Sequence, residues 1–175
     1  MLPSELMREE ISKKYNVDLE KYAWPEQFKE MILSIKLDQD YETSAKTLRE
    51  IYEQGFNIGH CGLTSRYIAR KFEEATLYYG KADLLVGTKS SENGEHAWTT
   101  IEEFLVDSTL MLLIPMSEAV SLGYISEKKL EYKSARMLSE YDVYDIEYEK
   151  IKKLMACYTN DEQLKIFEKI NEDII

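Results

Sequence analysis

The change of hydrophobic period near Gly80 constrains this chain more than any other feature of its sequence. Before it, apolar residues recur at helical intervals. After it, short β-prone runs separated by turn residues extend as far as Ile114, and charged helical patterns resume from Ser117. Helices flanking a block of short strands read as an α+β protein with a small antiparallel sheet.

Three helices are expected ahead of the strands. The first has Ser4 as its N-cap. The second starts near Pro25 and carries Phe28, Ile32 and Ile35 on one side. The third spaces Ala45, Leu48, Ile51 and Tyr52 until Gly55 stops it. Phe56-Asn57-Ile58-Gly59-His60 breaks the periodicity. A new helix opens at Cys61-Gly62 and is expected to run to about Tyr79, with Ile68, Phe72, Ala75 and Tyr79 inward.

Strands are expected at Ala82 to Thr88, Glu95 to Ile101, Phe104 to Ser108 and Leu110 to Ile114, with the polar run Lys89 to Gly94 as a loop. Beyond Ser117, Ser126 is a candidate helix cap. Ile146, Ile151 and Leu154 are candidate core residues, and a last helix starts near Asn160 or Asp161. Without internal repeats or a low-complexity linker, the 175 residues read as a single domain (1–175). Its core spans about 54–115, between helical flanks at 1–53 and 116–175.

Charge and cysteine content narrow the function classes. Lys and Arg total 22 against 33 Asp and Glu, a net charge of -11, which excludes a protein built to neutralise phosphates, so no nucleic acid partner is expected. Two cysteines are too few for a disulfide framework and fit a reducing compartment. The N-terminus has no signal-peptide pattern, and the longest apolar run, Leu110 to Met116, is too short to cross a bilayer. The expectation is therefore a cytoplasmic protein without a membrane partner.

Cys61 is the residue with the most chemical potential. A helix N-terminus presents partial positive charge and unpaired N–H groups, which favour a thiolate and can also hold an oxyanion. Cys157, inside a helical stretch, reads as a packing residue. Of the two histidines, His60 adjoins Cys61 but points elsewhere at a helix start, whereas His96 opens a strand and can meet the thiol through tertiary folding.

A two-residue turn at Ile101-Glu102 or Glu102-Glu103 sets Asp107 opposite His96 or diagonal to it on the same face. Asp107 could then fix the imidazole tautomer. A three-residue turn would put it on the other face, and its alternative role is to cap the turn at Ser108-Thr109. Trp98 shares the His96 face and either shields the pair or packs the core, while His60 could line the site. Glu102-Glu103 reads as a solvated turn. The histidines and cysteines do not fall at zinc-ligand spacings and there is no Gly-rich phosphate loop, so neither a metal nor a cofactor is expected.

Gly59-His60-Cys61-Gly62 opening a helix, His96-Ala97-Trp98 on a strand and Val106-Asp107-Ser108-Thr109 ending the next resemble the transglutaminase-like branch of the papain-like superfamily, over about Gln54 to Ser108. The family's aspartate segment usually ends in a proline-containing turn, which is missing here. The resemblance implies a papain-like fold with Cys61 as nucleophile, His96 as base and then acid, and Asp107 as orienter. It also makes Gln54 or Asn57 a candidate oxyanion donor. The implied activity is acyl transfer at an amide carbonyl of a protein or peptide substrate, by a peptidase, deamidase or transglutaminase. The alternatives are a binding or regulatory protein on a degenerate scaffold of this kind, and a deamidase effector directed at a host. Oligomeric state has no signature in the sequence.

Overall fold

The computed structural model describes residues 1–37, 45–72, 75–101 and 103–130. The element order is α1 (Pro3–Tyr15), a 3-10 turn at Leu19–Tyr22, α2 (Glu26–Leu33), α3 (Leu48–Glu53) and α4 (Cys61–Lys71). These are followed by β1 (Ala75–Ala82), β2 (Glu95–Ile101), β3 (Phe104–Asp107), β4 (Leu112–Pro115), a short helix α5 (Met116–Ala119) and β5 (Tyr124–Leu130). The strands form one sheet in the order β4-β3-β2-β1-β5, and every neighbouring pair is antiparallel. The fold class is α+β.

Both faces of the sheet are covered, which is why every residue of β3 and β4 is buried. Alternation sorts the side chains. Ile101, Phe104, Val106 and Leu113 join a core with α2, α3 and α4 through Phe28, Ile32, Leu48, Ile51, Ile68 and Phe72. Trp98, Leu105, Leu112 and Ile114 turn the other way, onto Met7 and Ile11 of α1, Leu19 and Tyr22. No helix among the described residues is long and apolar enough to cross a membrane.

Several expectations need correction. Helix α4 ends at Lys71 rather than near Tyr79. Ala75-Thr76-Leu77-Tyr78-Tyr79 is rich in strand formers, and the ladders it makes to β2 and β5 outweigh a helical spacing that Ile68 and Phe72 already satisfy. The run Ala82 to Thr88 is not a strand: after Ala82 it becomes a 3-10 turn at Asp83–Leu85, followed by Gly87 at a φ of +75°. The C-terminal flank is not purely helical, because β5 falls within it and Ser126 pairs with Gly80 instead of capping a helix.

Smaller shifts occur in the N-terminal helices. Leu2 rather than Ser4 caps α1, with Pro3 in the first turn and the Glu5 carboxylate accepting the Leu2 N–H at 2.9 Å. Ile35 and Ala45 lie just outside α2 and α3. Helix α2 follows Pro25 and α3 stops before Gly55, whose φ is +71°. Ile146, Ile151, Leu154, Cys157, Asn160 and Asp161 lie outside the described residues.

Candidate active site

The β2–β3 hairpin decides whether His96 and Asp107 can meet. Its ladder pairs Thr99 with Val106, Thr100 with Leu105 and Ile101 with Phe104, so two residues separate the paired strand ends. Continuing that register sets Asp107 across from Trp98, diagonal to His96 and on its face. The side chains do meet there: His96 Nε2 lies 2.9 Å from Asp107 Oδ2, and both residues are fully buried.

The short length of β3 positions the thiol. Because β3 pairs with β2 only from Thr99 to Ile101, the backbone of Ala97 has no strand partner on that side. The start of α4 fills the gap. The Ala97 N–H donates to Cys61 Sγ at 3.4 Å and the Ala97 carbonyl accepts from Ser65 Oγ at 3.2 Å, while Thr99 Oγ1 donates to the Ser65 carbonyl at 2.8 Å. The first helical turn is therefore fastened to the strand that carries His96. Within α4 the Leu63 and Thr64 N–H groups bond the His60 carbonyl. Those of Cys61 and Gly62 sit ahead of any intrahelical acceptor, where a helix start offers donors to an anion.

Asp107 is held on both oxygens. Oδ2 accepts from His96 and from the Tyr124 hydroxyl at 2.5 Å, and Oδ1 accepts the N–H groups of Thr109 at 2.8 Å and Leu110 at 2.9 Å. The turn that it caps is braced in turn by the N-terminal helices. Tyr52 donates to the Ser108 carbonyl, Arg8 Nη1 donates to the Leu110 carbonyl at 3.0 Å, and Trp24 donates from its ring to the Leu112 carbonyl at 3.0 Å. One carboxylate thus both binds His96 and caps the turn, the two contacts weighed for Asp107 from the sequence.

These contacts set the electrostatics. Burial alone would raise the Asp107 carboxyl, but the charge and hydrogen bond of His96, the Tyr124 hydroxyl and the Leu110 N–H outweigh it and hold it below its ordinary value. Burial would likewise depress His96. Asp107, with a smaller contribution from Cys61, instead raises it well above an ordinary imidazole. For Cys61, burial pushes the thiol up, and the hydrogen bond and charge of His96 and the Ala97 N–H bring it below its usual value against a small opposing push from Asp107. Thiolate and imidazolium therefore favour each other. His96 Nδ1 is buried and lacks a hydrogen bond of ordinary geometry among the described residues. The thiol and the ring act on each other electrostatically.

The remaining candidates divide. Trp98 is buried with its ring centroid 6.1 Å from that of His96, so it does line the pair, and it packs the core as well. His60 caps α4 at the surface and stacks on Phe56 with centroids 4.0 Å apart. Gln54 ends α3 with an exposed side chain and has no contact with the thiol among the described residues. Asn57 is turned inward. Its amide donates to Ser4 Oγ at 2.6 Å and it is fully buried, so it braces α1 against the Asp107 turn and is not free to serve an oxyanion.

Tyr124, Tyr52, Arg8 and Ser65 escaped the sequence reading. Each acts on the site through a contact between residues far apart in the chain, and only Gly123 ahead of Tyr124 marked a turn locally. No group of three or more potential metal-ligating side chains occurs among the described residues. No family model, curated protein or solved structure matches the chain.

Proposed function

We propose that this protein is a cysteine-dependent acyl-transfer enzyme of the transglutaminase-like, papain-like kind, acting on an amide carbonyl of a protein or peptide. One observation carries the reading. A half-buried thiol at a helix start has its pKa lowered by a buried imidazole whose Nε2 is bound to a carboxylate and whose Nδ1 has no hydrogen-bond partner among the described residues. A packing cysteine needs none of these. The chain order Cys, His, Asp and the helix start laid against an antiparallel sheet also support it.

On this reading the chemistry runs through Cys61 and His96. The Cys61 thiolate attacks the carbonyl carbon, forming a C–S bond and moving the carbonyl electron pair onto oxygen. The N–H groups at the start of α4 can stabilise that oxyanion. As the intermediate collapses, the C–N bond breaks and the His96 imidazolium gives its proton to the leaving amine, which leaves a thioester and a neutral imidazole. Water, or a second amine, then attacks the thioester with His96 taking its proton; the C–S bond breaks, the acid or new amide leaves, and the thiolate and imidazolium are restored. Asp107 holds the ring orientation through both halves and stabilises the imidazolium.

The test is the rate at which Cys61 reacts with iodoacetamide at pH 6, followed by mass mapping of the digested peptides, which separates Cys61 from Cys157. Cys61 is expected to be alkylated faster than a free thiol, and the His96→Ala variant should lose the advantage. A wild-type rate no faster than that of a free thiol would refute an activated nucleophile. Incubation with peptide amides under the same conditions should then show a thioester adduct on Cys61.

A further inference from the structure

Two donors converge on a single carboxylate oxygen. Asp107 Oδ2 accepts from His96 and, at 2.5 Å, from the hydroxyl of Tyr124, a residue on a different strand. Tyr124 is 3% exposed, and its ring meets Trp98 edge-on with centroids 5.5 Å apart and planes at 89°. Burial and the charge of Asp107 push its phenol well above the ordinary value, so it remains a donor.

Two glycines make this approach possible. Gly123, at a φ of +91°, turns the chain into β5, and a Cβ there would lie 2.8 Å from the Cβ of Asp83. Gly80 pairs with His96 on one side and sits at the irregularity of the β1–β5 ladder on the other. A Cβ on Gly80 would lie 2.0 Å from the Ile125 carbonyl oxygen and 2.9 Å from the Trp98 ring. Both backbone features bring β5 and Trp98 close around the His96–Asp107 pair.

We propose that Tyr124 is a positioning residue of the site, whose hydroxyl fixes the Asp107 carboxylate and takes up part of the charge on Oδ2 that would otherwise act on His96 alone. Its consequence for turnover rests on the acyl-transfer reading, whereas its action on His96 does not. Without the hydroxyl, Oδ2 faces the imidazole only, holds the imidazolium more tightly and makes it a weaker acid toward a leaving amine. The other titratable groups acting on the pair are Cys61 from α4 and Tyr52 from α3. Arg8 from α1 reaches the neighbouring Leu110 carbonyl.

The experiment is the titration of the His96 ring by nitrogen NMR in the full chain labelled at histidine. Tyr124→Phe is expected to move it to higher pH by about 1 pH unit, the size of a charge-assisted hydrogen bond lost to a shared acceptor. Difluorotyrosine at position 124 keeps the ring and donates more strongly, so it should move the titration to lower pH even if the phenylalanine variant does not fold. A His96 titration unmoved in a folded variant would overturn the proposal, because Tyr124→Phe keeps the ring contact with His96, centroids 6.5 Å apart, and removes only the hydroxyl. The two readings fail separately. A shifted His96 beside a Cys61 that alkylates no faster than a free thiol supports the role of Tyr124 and removes the acyl-transfer reading. An unmoved His96 beside a fast Cys61 does the reverse.

Discussion

Asp107 accepts hydrogen bonds from His96, Tyr124, Thr109 and Leu110, whereas Cys61 Sγ accepts one contact of 3.4 Å from the Ala97 N–H. The carboxylate sits in the core, and the turn it caps is braced from α1 by Arg8, from α3 by Tyr52 and from the segment ahead of α2 by Trp24. The thiol sits half-buried at the edge of the sheet. On the acyl-transfer reading proposed above, the difference follows from what each group would do. An imidazole serves only in one tautomer and one orientation, so its partner has to be over-determined, while a thiolate attacks from a nearly spherical sulfur and must stay open to substrate.

The contrast predicts opposite profiles for the two ends. Cys61→Ala should lower turnover of a peptide amide by about 10⁴-fold or more, since the covalent route disappears. Its urea midpoint should stay close to wild type, because little packing is lost at a half-buried position. Asp107→Asn should lower turnover by about 10²–10⁴-fold. It should also cost about 3–5 kcal/mol of stability, read by urea titration, because a buried charge partner is removed and an amide donor is turned toward existing donors. Equal destabilisation by the two substitutions would break the comparison.

Gly80→Ala comes next in size and tests whether the sheet behind the pair can relax. Overpacking of this kind costs about 1–3 kcal/mol. The added methyl must displace either the backbone near Ile125 or the Trp98 ring, so His96 should titrate differently while Cys61 alkylation changes less. An equally stable variant with an unchanged His96 titration would show that the close approach of β5 is dispensable.

How much of this was legible beforehand depended on the range of the interactions. The hairpin register could be read because a two-residue turn and a period of two leave few choices, and the observed ladder pairs Ile101 with Phe104. Cys61 could be read because Gly62 and the broken periodicity before it mark a helix start. The end of α4 could not, since Ala75 and Tyr79 satisfy a helical spacing as well as a strand, and only pairing with β2 and β5 decides. The setting of Asn57 is illegible for a related reason: its place shortly before Cys61 in the chain says nothing of its inward contact with Ser4. β5 was hidden because its first residues carry the strand signal and a charged run follows.

The smallest expected effects are those of pH, and they separate the two ends most finely. His96 is raised by folding above the ordinary 6.5, so its contribution to stability is complete below that value and is lost as pH rises through the raised one. Asp107 is lowered below 3.8, so its contribution is complete above that value and is lost as pH falls through the lowered one. Stability from the pair should therefore be flat between 3.8 and 6.5 and decline on either side, a profile that urea titration across pH can follow. Cys61 should be visible instead in its alkylation rate, which is expected to reach half its plateau below the pH of a free thiol. In His96→Ala that midpoint should rise, because burial and the charge of Asp107 then penalise the thiolate, with the Ala97 N–H and the start of α4 left to oppose them. A midpoint that does not move would mean that the helix start alone holds the thiolate, and the coupling between the rigid and the open end of the site would be lost.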